Sequence, residues 1–336
     1  ALARGYAGTE VLILIGTIMA AFPIFYAVIE NDLRRVLAYS LNNQLGFMVV
    51  GIGIGTELSI NGTAAHAFSH ILYKALLFMS MGAVLFRTGT IKGSELGGLH
   101  KTMPWTTGFC IIGAASISAF PLFSGFISKS MILTALGHEG YWFPWAVLVF
   151  ASAGVFHHSG IKIPYFAFFA HDSGLRPKEA PLNMLLAMGI AASLCIGIGV
   201  YPDALYAILP FPVDYVPYTT AHVITQLQLL MFSALAFTFL MLTGLYPPEL
   251  KSTNLDSDWI YRRLIPKFIR TAGQKIAIID QHIRGQLLLL VRRIMSATER
   301  WSGMNSGFAK TAPISSMAFF ALSFLAVFLV LYFIKE

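Results

Sequence analysis

The sequence predicts an all-α, polytopic transmembrane helical bundle with one broken helix, and three observations predict it. Of 336 residues, 56% are hydrophobic and 12% charged, where a soluble domain carries roughly 25% charged residues. The mean hydropathy is +0.69. Apolar runs of membrane-crossing length recur along the chain, and Lys and Arg gather in alternate connections between them.

Eight spans follow in order, at about 10–29, 36–54, 62–86, 104–136, 142–170, 182–201, 222–245 and 313–334. Each is an apolar run closed by charged or turn residues. The fourth is too long for one straight crossing, and Pro121 and Gly125 divide it into two half-helices with an unwound middle. Cys110 and Cys195 lie in apolar runs without metal or redox spacing and read as core residues. The opening Ala1-Leu2-Ala3-Arg4-Gly5 has no initiator methionine and no signal-peptide pattern. It reads as a loop already under way, so the chain is expected to begin mid-protein.

One set of connections holds Arg34 and Arg35, then Arg87, Lys92 and Lys101, then Arg176 and Lys178, then the basic region 251–310. The alternate connections, including the long 202–221, hold neither Lys nor Arg. Of 23 basic residues, 18 fall on the first side, 2 at the opposite termini and 3 inside spans. This asymmetry places the basic loops in the cytoplasm and both ends outside, in keeping with an even number of spans. The net charge of +7 is therefore topological. With no aromatic-interleaved basic motif, nucleic acid is not an expected partner. Within 251–310, Ile276, Ile279, Ile283, Leu287, Leu290 and Ile294 recur near helical spacing between Arg284, Arg292 and Arg293. That pattern predicts a basic amphipathic helix lying on the membrane surface or on a partner.

Span three carries the chemistry. His66, His70 and Lys74 follow at four-residue intervals, so a helix places them on nearly one face. The stripe rises about 12 Å along the axis at roughly 1.5 Å per residue. Each ionisable group in hydrocarbon costs at least ~2.5–3.5 kcal/mol, so three on one face call for a use, and proton transfer is the first candidate. Burial disfavours the ammonium of Lys74 while a nearby carboxylate would favour it, and a lysine between those pressures can load and release a proton. The competing role, a lysine snorkelling to the interface, suits Lys74 poorly because it lies mid-span. Lys129 follows the expected break, where unwound backbone at membrane depth lines a cavity or is covered by protein. Its rival role is a lysine at a helix end near the interface. Lys162, with His158 four residues before it, repeats the spacing nearer the cytoplasmic end, where snorkelling competes more strongly. His66 and His70 suit relay duty because imidazole titrates near neutrality through two nitrogens. They could equally be hydrogen-bonded core residues. A metal site lacks the accompanying glutamate of a His-Glu-x-x-His pair and any thiolate pair, so no metal or cofactor is expected.

No Asp or Glu lies deep in any span, and between Leu58 and Gly137 the one carboxylate is Glu95, in a loop. Three buried lysines without counter-charge would be strongly destabilised. Water and histidine must carry them, or carboxylates must come from outside these spans, from a missing N-terminal half or from neighbouring subunits.

Several segments then carry a family resemblance. Asp32-Leu-Arg-Arg-Val-Leu-Ala-Tyr-Ser40 with Gln44-Leu-Gly-Phe47 resembles a segment shared by antiporter-like subunits of NADH-quinone oxidoreductase and Mrp-type cation/proton antiporters. His66-Ala-Phe-Ser-His-Ile-Leu-Tyr-Lys-Ala-Leu-Leu-Phe78, Gly97-Gly98-Leu99 and Pro121-Leu-Phe-Ser-Gly-Phe-Ile-Ser-Lys129 are similar to the same family. Together they cover most of residues 10–140. Beyond that core, His158-Ser-Gly-Ile-Lys-Ile-Pro-Tyr-Phe and Asn254-Leu-Asp-Ser-Asp-Trp-Ile-Tyr-Arg-Arg263 resemble the D-type subunits of bacterial sodium/proton antiporters.

The resemblance implies a fold of two inverted five-helix repeats, of which this chain holds the second and so corresponds to a C-terminal part. It implies that His66 and His70 link half-channels, that Lys74 shares their helix, and that Lys129 is the terminal protonatable residue. Arg34 takes a position that is often lysine near the cytoplasmic side, and Arg34, His158 and Lys162 are possible extensions of the relay. The chain departs from the pattern in lacking the first repeat with its glutamate–lysine pair. The expected organisation is a proton-channel repeat over 1–180, additional transmembrane helices over 181–248, a basic amphipathic connector over 249–312 and a final transmembrane helix over 313–336. The implied function is that of a multi-pass bacterial inner-membrane subunit of a multisubunit antiporter, exchanging protons for Na+ or K+ alongside other membrane subunits. A proton-pumping subunit of a redox-driven complex and a non-conducting fragment are the alternatives. No flavin, quinone or iron–sulfur motif is present, so any electrons would belong to other chains.

Overall fold

The computed structural model describes residues 9–247, 249, 254, 259–303, 306 and 313–334, and every described segment of regular structure is helical. Arg4, Lys251, Lys310, Lys335 and residues 255–258 of the connector motif lie outside the described residues. The chain divides into two units, Ala1–Asn254 and Leu255–Glu336.

In the first unit, α1 (Glu10–Ile29) and α2 (Leu33–Ile54) form an antiparallel hairpin. Their backbones nearly touch at Gly16, where an added Cβ would stand 2.7 Å from the Val50 nitrogen; small residues permit such close approach between membrane helices. Asp32 begins α2 by accepting from the backbone N–H groups of Arg34 and Arg35, at 2.9 and 3.0 Å. This N-cap explains why the helix starts at Leu33, ahead of the expected 36. Helix α3 (Glu57–Thr88) runs 32 residues, capped by Thr56 and ended by Gly89 at φ +75°. A loop with a short turn at Leu99–Lys101 leads to α4 (Pro104–Ile117). Glu179 covers the start of α4, accepting from the Trp105 N–H at 2.9 Å and the Thr106 hydroxyl at 2.6 Å.

The expected break falls between α4 and α5 (Ser124–His138). Helix α6 (Trp142–Val155) continues through wide π turns at Phe156–Lys162 and Tyr165–Phe169. Then follow α7 (Leu182–Val200), the single turn α8 (Asp203–Tyr206) and α9 (Thr220–Leu242). Helix α3 sits centrally, packed against α2, α4, α5 and α7. The largest apolar cluster gathers Leu37, Leu76, Leu77, Met81, Ile117 and Phe168.

In the second unit, a π turn at Ile260–Leu264 enters α10 (Ile265–Ser302), followed by α11 (Ile314–Ile334). Helix α10 is one 38-residue amphipathic helix with no buried residue.

Among the described residues, six helical stretches are long and apolar enough to cross a membrane: Glu10–Ile29, Glu57–Thr88, Trp142–Phe169, Leu182–Val200, Thr220–Leu242 and Ile314–Ile334. Two of the eight expected spans are not among them. The span expected at 36–54 is a 22-residue helix made less apolar by Asn43, Gln44 and its basic first turn. The one expected at 104–136 is divided by its break.

Candidate functional site

The buried polar side chains converge from three helices. His66, His70 and Lys74 lie buried on α3, Lys129 on α5, and His158 and Lys162 on the π-helical continuation of α6. The rings of His66 and His70 stand 6.3 Å apart, and Tyr73 contacts both, at 6.3 and 5.5 Å. Lys129 lies within electrostatic reach of His66, and Lys74 within reach of His70 and His158. The expected α3 stripe is thus continued by residues of two other helices.

A hydrogen-bonded core surrounds His66. Its Nδ1 faces the Ser128 hydroxyl at 3.1 Å and its Nε2 faces Gln44 Oε1 at 3.2 Å. The Tyr73 hydroxyl donates to the same Gln44 oxygen at 3.1 Å. Gln44 Nε2 donates to Asn43 Oδ1 at 2.6 Å, and Asn43 Nδ2 donates to the Ala20 carbonyl. Sequence reasoning missed the pair Asn43–Gln44, although Gln44 stands inside one of the resembling segments. Two adjacent amides in an otherwise apolar run were the available signal. Further along, Lys74 Nζ, His70 Nε2, His158 Nε2, Ser40 Oγ and Ser69 Oγ are buried without a hydrogen-bond partner among the described residues. Buried polar atoms of this kind are satisfied by internal water.

The break positions Lys129. Ala119 and Leu122 take left-handed φ values of +57° and +73°, which reverse the backbone around Pro121. An added Cβ on Gly125 would overlap the Ser116 carbonyl oxygen, so the second half-helix enters directly against the first. The ammonium of Lys129 then donates to the Ile117 carbonyl at 3.1 Å, the last residue of α4. A cation at a helix C-terminus is favoured by the exposed carbonyls and the helix dipole. The Phe47 ring covers the same ammonium, 5.2 Å from its centroid, a cation–π contact. Helix α9 also reaches the break, where the Gln226 amide donates to the Ser118 carbonyl at 3.2 Å.

Lys162 has a different setting. It donates to the carbonyls of Val28 and Glu30 at 2.6 and 2.7 Å, and its Nζ stands 2.9 Å from Glu249 Oε1. It closes the C-terminal end of α1, as basic side chains near a helix end can. This corrects one expectation. A carboxylate for one buried lysine comes from the chain itself, from a segment that reads as polar connector. Burial pushes the Glu249 carboxyl above the usual carboxylate range, against the pull of Lys162. Among the described residues, Lys74 and Lys129 have no carboxylate ion-pair partner.

Arg34 lies exposed in the first turn of α2, outside the buried row. Around it the loops that read as basic meet at one end of the unit. The Leu33 N–H donates to the Ile91 carbonyl, and Lys101 pairs with Asp172 at 2.9 Å. The Ser173 hydroxyl donates to the Gly97 carbonyl at 2.8 Å. At the other end Asn61 exchanges hydrogen bonds with the backbone of Phe211, at 2.9 and 3.0 Å. A cavity there is lined by Glu57, Asn61, His138, Glu139 and Asp214.

Residues 5–156 match the family model described as NADH:quinone oxidoreductase/Mrp antiporter, transmembrane. The chain is 34% identical over 209 residues to the D subunit of the Na(+)/H(+) antiporter of Alkalihalophilus pseudofirmus, a match that covers 61% of this chain and 42% of that protein. It is 29% identical over 357 residues to the NADH-ubiquinone oxidoreductase chain 5 of Rhizopus stolonifer, covering 90% of this chain and 52% of the relative. The chain therefore spans about half the length of these relatives. A solved structure of the membrane-bound sulfane sulfur reductase, an archaeal respiratory membrane complex, superposes with a TM-score of 0.59 at 22% identity. That match covers 96% of this chain and 56% of the other, and it speaks to the fold.

Proposed function

Because residues 5–156 are a transmembrane domain of the NADH:quinone oxidoreductase/Mrp antiporter family, we propose that this antiporter-like membrane subunit moves protons along an internal Lys/His/water row, as part of a multisubunit monovalent cation/proton antiporter. The observation that carries the reading is the burial of His66, His70, Lys74, Lys129 and His158 from three helices in one interior. Of these, Lys74 Nζ, His70 Nε2 and His158 Nε2 have no hydrogen-bond partner among the described residues. Ionisable groups at membrane depth are expensive and are retained for transport of charge. In this reading Lys129 exchanges protons with one side, Lys74 is the central carrier, and His66 and His70 are stations between them. His158 extends the row. Lys162 ends it as the cation that closes α1. The exchanged ion is Na+ or K+, the basic loops face the cytoplasm of a bacterium, and α10 is the amphipathic connector that lies on the membrane or a neighbouring subunit.

The likeness to an NADH-ubiquinone oxidoreductase chain over 90% of this sequence favours a second reading, in which redox partners drive the same row. Everted vesicles carrying the intact assembly test both. Lys74→Ala and Lys129→Ala should each abolish proton movement while the assembly still forms. Wild-type rates in both variants would overturn the assignment. Proton movement driven by added cation supports exchange; movement driven only by an electron donor supports redox pumping.

A further inference from the structure

The hydrogen bonds around His66 give its ring proton a definite side. Asn43 Nδ2 donates to the Ala20 carbonyl, a group that can only accept, so Asn43 Oδ1 is turned toward Gln44. Gln44 Nε2 donates to that oxygen, which leaves Gln44 Oε1 as the atom facing α3. His66 Nε2 lies 3.2 Å from this oxygen and the Tyr73 hydroxyl 3.1 Å. An amide oxygen has two lone pairs and no hydrogen, so both neighbours must donate to it. The competing arrangement, with Tyr73 donating to His66 Nε2, spans a longer 3.5 Å.

We infer that Gln44, oriented through Asn43 by the Ala20 carbonyl, is a positioning residue that holds the proton of neutral His66 on Nε2 and leaves Nδ1, facing Ser128, as the atom that takes up a proton. In the neutral state the Ser128 hydroxyl donates to Nδ1. On uptake the Ser128 O–H bond breaks as the Nδ1–H bond forms, and the incoming proton replaces the hydrogen on the serine oxygen. The charge then rests on the imidazolium. Ser128 now accepts from Nδ1–H and donates to the Ser124 carbonyl, 3.2 Å away. Release on the Tyr73 side requires the Nε2–H to leave Gln44, so His66 passes a proton onward only when that contact breaks. With these contacts in place His66 is loaded from the α5 side. The role of this step in transport rests on the relay proposed above; the position of the ring proton does not.

Nitrogen-15 NMR of the full chain in lipid, with labelled histidine, tests the inference. The signals of His66 are assigned by difference against His66→Asn. At a pH where His66 is neutral, the wild type should show a protonated Nε2 and an unprotonated Nδ1. Gln44→Met removes the acceptor, so the proton should move to Nδ1, with Tyr73 donating to Nε2. Gln44→Glu retains an oxygen in place and should keep the wild-type tautomer, and Ser128→Ala should keep it too. A wild-type ring protonated on Nδ1 would overturn the inference, as would an unchanged tautomer in Gln44→Met or a changed one in Ser128→Ala. If Gln44→Met does not fold, the wild-type and Ser128→Ala spectra still decide. These spectra report the ring whether or not the assembly moves protons, so failure of the transport reading would be seen separately.

Discussion

The ammonium of Lys162 stands 2.9 Å from Glu249 Oε1 while donating to the carbonyls of Val28 and Glu30. One cation thus joins the π-helical continuation of α6, the end of α1 and the segment that follows α9. The Asn254 amide adds a contact to Glu30 Oε2 at 3.4 Å. Removing one member of a buried ion pair leaves the other charge uncompensated, at a cost of about 3–5 kcal/mol. Lys162→Ala should approach that range, because it also strips the donor from the α1 carbonyls.

Glu249→Gln should cost less, about 1–3 kcal/mol, because an amide oxygen can still accept from Lys162. The ranking is checked by unfolding of the purified chain in detergent. Equal losses in the two variants would show that the carbonyl contacts contribute little. If Lys162 served chiefly as a relay group, Lys162→Ala would instead lower proton flux and leave stability nearly intact.

Gly125→Ala should disturb the break, since its Cβ would overlap the Ser116 carbonyl. Overpacking of this kind costs about 1–3 kcal/mol, and it should also move Lys129 away from Ile117 and reduce proton flux. At Gly137, on the same helix, an added Cβ would meet open space. Gly137→Ala should therefore leave flux unchanged and stabilise by about 0.4–1 kcal/mol. Comparing unfolding and flux in the two variants separates a general glycine effect from the geometry of the break.

Docking of the 97–101 loop on the 171–176 loop should weaken in acid. Hydrogen bonds from Arg176 and Lys101 hold the Asp172 carboxyl below its ordinary range. A depressed native value means that the stabilisation is present above the unfolded value, about 3.9, and is lost as pH falls toward the native one. The pair is exposed, so the effect is modest and screened by salt. Amide hydrogen exchange in the two loops should rise below about pH 4, and Asp172→Asn should remove that acid-dependent rise.

Much of the fold was legible because membrane crossing imposes long apolar runs, and the run at 10–29 coincides with α1 (Glu10–Ile29). The break was legible because Pro121 and Gly125 interrupt a run too long for one helix. The stripe His66–His70–Lys74 follows from helical periodicity alone. Other parts depend on tertiary contact. Nothing local to Glu249 says that it meets Lys162, far earlier in the chain. Asn43 and Gln44 read as polar interruptions of an apolar span until α1 and α3 supply their partners. The length of α2 was hidden by its basic first turn, which reads as loop although Asp32 caps a helix there.

Lys74 gives the sharpest separation of structure from transport. Among the described residues its buried Nζ has no hydrogen-bond partner and no carboxylate pairs with it. Lys162, by contrast, is held by carbonyls and Glu249. A buried charge with no protein partner among the described residues costs desolvation and gains little, so an apolar residue of similar volume should be tolerated or favoured. Lys74→Met should therefore leave the unfolding transition unchanged or raise it, while proton flux in the intact assembly falls to background. Lys162→Met should lower the transition, because the α1 carbonyls and Glu249 lose their donor. The two substitutions remove a lysine from the same interior, and different effects on stability are expected because the two amino groups have different neighbours. A destabilised Lys74→Met variant with normal flux would assign Lys74 a structural role and remove the central carrier from the proposed relay.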